Sequence, residues 1–300
     1  MIIQTDNLWK KFGRFGALRG LTLNVPEGSA FALLGANGAG KTTTIKVLMN
    51  MLEPTLGTAT VLGVNSRRIS PAEWRQIGYV SENQQMPGRM SVLTYIRYLR
   101  SFYPSWDHTL ESETLRRLHL PLERKIQDLS HGMRLKMALA CALPFRPKLL
   151  VLDEPLSGLD PLVRDEFMES LQPRIGGTTI LISSHELTEI EDLTTHVAFL
   201  DHGELLFQEA KSDLAGRLRE VRVILETEAH LPATVPTEWL NVRTNGNALT
   251  FVDTRFSEPD LASRVASVFP GVRRIDVQPV PLRAIYTTLA RSIRDRRISS

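Results

Sequence analysis

Gly35-Ala36-Asn37-Gly38-Ala39-Gly40-Lys41-Thr42 is the stretch on which the reading of this chain turns. It follows a short apolar segment, Ala30–Leu34, that reads as a strand, and it opens a segment, Thr42–Met51, that reads as a helix. Gly-x-x-x-x-Gly-Lys-Thr between a strand and a helix is the spacing of a phosphate-binding loop. Its glycines let the backbone curl so that N–H groups face anionic oxygens. The helix N-terminus adds a favourable dipole. Lys41 is placed to neutralise β- and γ-phosphates, and the Thr42 hydroxyl to ligate Mg²⁺. Gly35, Asn37, Gly38, Gly40, Lys41, Thr42 and Thr43 are thus the candidate phosphate-site residues.

Two other strand ends belong with this loop. Leu149–Leu152 runs straight into Asp153, Glu154 and Pro155. A carboxylate at the C-terminal end of a parallel strand, near a phosphate loop, is placed to hold Mg²⁺ through water. The adjacent Glu154 is then the group to orient or deprotonate an attacking water. Thr179–Ile182 ends at Ser183, Ser184 and His185, which puts a histidine within reach of a γ-phosphate.

Around these strands, apolar and helical patterns alternate. Strands are expected at Ile2–Leu8, Leu21–Val25, Ala59–Leu62, Gly78–Val80 and His196–Leu200. A helical turn is expected at Pro71–Gln76, and helices from Ser91 to about Phe102, over Asp107–Leu118, and from Ser130 to about Ala142. Alternation of this kind implies a layered α/β domain with a parallel sheet. After about Gly216 the character changes. Strands are expected at Val221–Leu225, Trp239–Arg243, Leu249–Val252 and Val272–Val277, with helices at Glu258–Val268 and Leu282–Ile293. The expected organisation is a domain over residues 1–215, with a helical subdomain at about 84–145, followed by a small α+β domain over 216–300.

Composition narrows the function classes. With 42% hydrophobic and 23% charged residues, the chain matches soluble globular averages, which excludes a disordered, collagen-like or disulfide-scaffold protein. The longest apolar run, Met137–Leu143, falls far short of the roughly 18 residues a spanning helix needs. No secretory signal is expected at the N-terminus. The single cysteine, Cys141, allows no internal disulfide and fits a reducing compartment. The net charge of +3 is concentrated in residues 283–300, which carry +4 and leave −1 for the rest. Such a tail is either solvated or touches anionic lipid or another subunit. The body has no basic excess, so no nucleic-acid partner is expected.

Taken with one more stretch, these pieces resemble the ATP-binding subunits of ABC transporters over about residues 1–215. Leu129-Ser130-His131-Gly132-Met133 is similar to that family's signature Leu-Ser-Gly-Gly-Gln, starting 88 positions after Lys41 and 24 before Asp153. Pro155-Leu156-Ser157-Gly158-Leu159-Asp160 is similar to the loop after the family's acidic pair, and His185 matches its switch histidine. The resemblance implies a P-loop NTPase cassette that binds and hydrolyses ATP with Mg²⁺. It implies a head-to-tail homodimer or heterodimer with two sandwiched ATP molecules. Ser130 and Gly132 would complete the partner's site, Asp160 would bridge the interface, and Phe12, 23 residues before Gly35, would stack on adenine. Ordinary core packing of Phe12 against Trp9 or Phe15 is the alternative.

The sequence departs from the family pattern at two places. Glu82 stands where glutamine is usual, as in the branch that exports through ABC-2-type membrane subunits. A carboxylate there can approach Mg²⁺ or the water, yet a γ-phosphate would repel it. His131 and Met133 replace a glycine and the glutamine of the signature, and His131 either adds bulk and a titratable group at the dimer seam or points outward. The small C-terminal domain is similar to that branch in layout only. The resemblance implies a peripheral subunit at the cytoplasmic membrane face. It would power an exporter through a permease on a separate chain, met near Asn83–Thr94. The rival class, a soluble ABC protein on ribosomes or DNA, generally carries two cassettes or a very long insertion before the signature. The cargo cannot be read, because a nucleotide subunit touches its partner rather than the substrate.

Overall fold

The structure, a computed structural model, describes residues 1–174, 177–231 and 235–281, together with Ala284 and Thr288. The rest of the expected helix Leu282–Ile293 lies outside the described residues. The chain divides into two compact units, Met1–Gln208 and Glu209–Ser300, so the division falls before the expected boundary at 215/216.

The first unit begins with β1 (Ile3–Phe12), β2 (Phe15–Leu21), β3 (Asn24–Val25), β4 (Ala30–Leu34), α1 (Lys41–Leu48), β5 (Leu56–Val61) and β6 (Val64–Asn65). It continues through α2 (Pro71–Trp74), β7 (Ile77–Ser81), α3 (Val92–Arg100), α4 (His108–Arg117) and α5 (His131–Ala142). Then come β8 (Leu149–Asp153), α6 (Pro161–Leu171), β9 (Thr179–Ser184), β10 (His196–Asp201) and β11 (Glu204–Ala210), the last crossing into the second unit.

Six strands form a sheet in the order β11-β10-β4-β9-β8-β7, with β10, β4, β9, β8 and β7 parallel. Every residue of β4, β8 and β9 is buried, which is why these strands read as unbroken apolar runs. The register sets Leu34 beside Ser184, Asp153 beside Ser183, and Ser81 beside Asp153. The C-terminal ends of four strands therefore meet at one edge, the usual place for a ligand in an open α/β sheet. A second sheet, in the order β2-β1-β5-β6 with β3 also on β1, shares a core with the first. In that core Ile45 and Leu48 of α1 pack among Phe31, Leu33, Val61 and Val151.

The helix starts are set by side chains that accept orphan backbone N–H groups. Ser91 accepts from Thr94, Asp107 from Leu110, Ser130 from Met133, and Asp160 from Val163 with Pro161 at the first helical position.

One expected element is wrong. Leu21–Val25 is not a strand. Leu21 closes β2, which pairs antiparallel with β1 from Leu8–Leu21 to Phe12–Phe15, and only Asn24–Val25 of the expected segment forms a short strand. The hairpin turns at Gly13-Arg14. Its arms carry two register shifts, so the apolar residues around the turn do not alternate as a regular strand would.

The second unit holds α7 (Lys211–Arg217), β12 (Arg219–Leu225), β13 (Trp239–Asn245), β14 (Ala248–Asp253), α8 (Glu258–Val268) and β15 (Val272–Pro279). Its strands make an antiparallel sheet in the order β13-β14-β12-β15. Val223, Trp239, Phe251, Val265 and Phe269 form a core of its own.

Candidate nucleotide site

The loop between β4 and α1 wraps so tightly that side chains are excluded at two of its glycines. A Cβ on Gly35 would lie 2.4 Å from the Leu200 carbonyl oxygen, and one on Gly40, at φ 107°, would lie 2.8 Å from that of Ala17. Lys41 is buried at the loop's mouth. Its Nζ donates to the carbonyls of Gly35 (2.6 Å) and Ala36 (3.1 Å) and pairs with Glu154 Oε1 at 2.9 Å. Two carbonyl acceptors and one carboxylate of opposite charge thus surround the ammonium, which makes its burial tolerable.

The acidic pair is held by the strand beside it. Asp153 Oδ1 accepts from the hydroxyls of Thr42 (3.0 Å) and Ser183 (2.8 Å). Burial pushes the Asp153 carboxyl above the usual carboxylate range, and the Ser183 and Thr42 bonds oppose that rise. Glu154 sits in the left-handed region at φ 49°, a conformation that surrounding structure must enforce in a non-glycine residue. The enforcing contact is its own N–H, which donates to Ser183 Oγ at 2.9 Å. His185 Nδ1 lies 2.9 Å from Glu154 Oε2, so Lys41, Glu154 and His185 stand in series.

Lys41, Glu154 and His185 line a cleft of about 470 Å³ together with Asn37, Gly38, Gly40, Thr42, Thr43, Glu82, Ser157, Phe12 and Phe15. Glu82 faces the cleft, and its N–H donates to the Asp153 carbonyl at 3.2 Å. Phe12 is 49% exposed and Phe15 61%, so neither is spent on core packing. They flank the hairpin turn as register partners, and Lys10 Nζ lies 5.0 Å from the Phe12 ring centroid.

The remaining candidates stand apart. Ser130, Gly132 and Asp160 do not line this cleft, and the structure does not bring them to the phosphate loop of their own chain. Ser130 and Asp160 cap α5 and α6, and Gly132 packs against Val163.

Sequence reading missed Ser183 and Phe15. Ser183 is fully buried and bridges both carboxylate residues with one hydroxyl, accepting from the Glu154 N–H and donating to Asp153. A polar residue directly after the apolar run Thr179–Ile182, two positions before His185, was the available signal. Ser183→Ala should lower kcat about thirtyfold with the KM for ATP within about twofold, because it removes two hydrogen bonds of roughly 1 kcal/mol each from Asp153 and Glu154 and none from the phosphate loop. Steady-state kinetics beside a melting curve checks this. A change in KM alone would mean that Ser183 serves binding instead.

With this geometry described, comparison with known proteins is informative. Residues 18–157 match the ABC transporter family. The chain is 34% identical over 227 residues to the bacitracin transport ATP-binding protein BcrA of Enterococcus faecalis, covering 73% of this chain and 72% of that one. It is 31% identical over 218 residues to the lantibiotic transport ATP-binding protein SrtF of Streptococcus pyogenes, covering 69% and 90%. Among solved structures, an ATP-binding subunit of an ABC transporter superposes with a TM-score of 0.65 at 26% identity, covering 72% of this chain and 92% of the other.

Proposed function

This chain belongs to the ATP-binding subunits of ABC transporters and is an ATPase of that family; from that premise we propose that it works as a head-to-tail dimer driving export through permease subunits on separate chains. The observation that carries the dimer is a division of labour. Asn37, Gly38 and Gly40–Thr43 of the phosphate loop line the cleft with Glu154 and His185, and the signature residues do not, while Ser130 caps the exposed start of a helix elsewhere in the same chain. A helix start of this kind offers free N–H groups and a hydroxyl to a γ-phosphate. A second chain presenting its Ser130 and Gly132 would complete the donor set, with Asp160 at the seam. The dimer is a homodimer or a heterodimer with another ATP-binding subunit.

Each cleft residue has a task in this reading. Lys41 neutralises the β- and γ-phosphates, and the helix start at Lys41 presents backbone donors. Phe12, with Phe15 beside it, offers an exposed aromatic face for the adenine. Glu154 takes a proton from, or orients, the attacking water, and His185 holds Glu154 in place and reaches toward the γ-phosphate. The residues fit Mg²⁺ well. Thr42 and Asp153 offer adjacent hard oxygen donors, and Glu82 faces the same cleft. Among the described residues no cluster of three His, Cys, Asp or Glu could hold a metal. That agrees with an ion held by one or two protein oxygens plus substrate phosphates. When bound, Mg²⁺ supplies neutralisation of phosphate charge.

Among the described residues no helix is long and apolar enough to cross a membrane. A groove of about 210 Å³, lined by Trp74, Tyr79, Gln84, Met86, Tyr95 and Phe145, runs beside the expected contact segment Asn83–Thr94 and is the proposed seat for a permease segment. This reading makes the chain peripheral at the cytoplasmic membrane face. Transport rests on the relatives named for bacitracin and lantibiotic transport, and the outward direction on a relative named as a Nod factor export ATP-binding protein, 32% identical over 208 residues.

The test is a mixture of Lys41→Ala and Ser130→Arg subunits, each inactive alone. A mixed dimer holds one cleft with Lys41 from one chain and Ser130 from the other. ATPase activity should return, up to about half the wild-type rate per dimer, since one of two clefts is rebuilt. No recovery in a confirmed mixed dimer would put both residues to work within one chain.

A further inference from the structure

His131 is the residue at which this signature departs most in size from the family pattern, and its ring does not point into empty solvent. Its Nε2 lies 3.4 Å from the Ser157 carbonyl oxygen. A carbonyl only accepts, so Nε2 carries the proton and donates. Ser157 lines the nucleotide cleft, and its own N–H donates to the Glu154 carbonyl at 3.3 Å. A chain of two hydrogen bonds therefore runs from Glu154 through Ser157 to the first residue of α5.

The surrounding contacts make this end of α5 and the segment after Glu154 one packed piece. A Cβ on Gly132 would lie 2.9 Å from Val163 Cγ1 and 3.5 Å from Leu159 Cδ2, so the helix start rests directly on α6 and the loop before it. One turn on, the largely buried Lys136 pairs with Glu166 of α6. Ser130, which caps this same helix start, cannot shift independently of Ser157 while these contacts hold.

We propose that His131 is a positioning residue that ties each chain's own hydrolytic loop, through the Ser157 carbonyl, to the helix start that serves the opposite cleft. The inference rests on the head-to-tail reading above. Coupling between two sites requires a packed element that both of them bias, and the α5 start with the Ser157 loop is such an element. The signature glycine of the family pattern has no side chain with which to make this bond.

Dimers purified through two different tags separate the possibilities. In the first, one chain carries His131→Leu and the other Glu154→Gln. Only one cleft then fires, and it combines the Glu154 of the His131→Leu chain with an intact signature from the other. Its kcat should be about fivefold below that of the same dimer with His131 intact, with the KM for ATP within about twofold, the size expected for one net hydrogen bond. His131→Gly should reproduce the loss, and His131→Gln, which keeps an N–H donor at similar reach, should restore kcat to within about twofold. Unchanged kcat in this dimer overturns the proposal. So does a loss with leucine but not with glycine, which would make bulk the cause, or a glutamine variant as slow as leucine. Binding of a fluorescent ATP analogue to each variant verifies that the fold is intact. Adding Ser130→Arg to the Glu154→Gln chain of the His131-intact dimer tests the premise separately. Persistent turnover there would defeat the head-to-tail reading, whatever His131 does.

Discussion

Lys41→Ala should abolish tight ATP binding, lowering affinity by about a hundredfold or more. The substitution removes the ammonium held at the phosphate loop, and charge-assisted bonds to phosphate are the strong ones in such a site. Two features of the structure sharpen the expectation. Lys41 already lies curled against the Gly35 and Ala36 carbonyls, close to where phosphate oxygens must arrive, so little side-chain ordering remains to be lost on binding. Its removal also leaves Glu154 without its ion-pair partner and facing incoming phosphates as an uncompensated carboxylate. Binding of a fluorescent ATP analogue checks the result. Unchanged affinity would show that the loop is not the phosphate site. Restored binding in Lys41→Ala combined with Glu154→Gln would separate carboxylate repulsion from the loss of the ammonium itself.

The features legible in the sequence are those fixed by local chemistry. Gly35–Thr42 carries its glycines where the loop must turn between a strand and a helix, and the buried strands β4, β8 and β9 announce themselves as apolar runs, β8 and β9 closed by polar residues. Ser91, Asp107 and Ser130 mark helix starts because short polar side chains compete for backbone N–H groups there. What stayed hidden depends on register and on contacts distant in sequence. The β1–β2 hairpin has a turn without a strong turn dipeptide and irregular pairing, so Phe15 read as a packing neighbour although it lines the cleft. Helix α6 went unread because its start follows a loop interpreted only by resemblance, although Asp160 and Pro161 together form a helix-start signal. Ser183 reaches Asp153 and Glu154 only because β8 and β9 pair in one particular register, 30 and 29 residues apart along the chain. No local pattern encodes that pairing. The same holds for His131 and Ser157, 26 residues apart, whose contact depends on how α5 rests on α6.

Glu154→Gln should slow ATP hydrolysis by on the order of a hundredfold or more while ATP affinity holds or rises a few-fold. The loss of rate follows from replacing a base with a neutral amide of the same shape at the position next to His185. The retained affinity follows from the other carboxylate oxygen. In the nucleotide-free cleft Glu154 Oε1 holds Lys41 at 2.9 Å, so phosphate must compete with a carboxylate for the same ammonium. An amide oxygen is a weaker competitor, and Lys41 becomes easier to recruit. The Glu154 N–H bond to Ser183 is a backbone bond and survives the change, so the left-handed turn and the Asp153 bridge should persist and the variant should melt near wild type. With binding intact and hydrolysis stalled, the ATP-bound dimer should accumulate. Turnover measured beside gel filtration with Mg-ATP reads both consequences together. Slow turnover with a shift to dimer is the expected pair. Near-normal turnover would remove Glu154 from the chemistry and leave His185 as the group to test next. Slow turnover with weakened ATP binding would instead mean that Glu154 holds Lys41 in the shape that receives phosphate, a structural rather than a catalytic role. The two outcomes differ in the sign of the affinity change, which titration of the fluorescent analogue resolves.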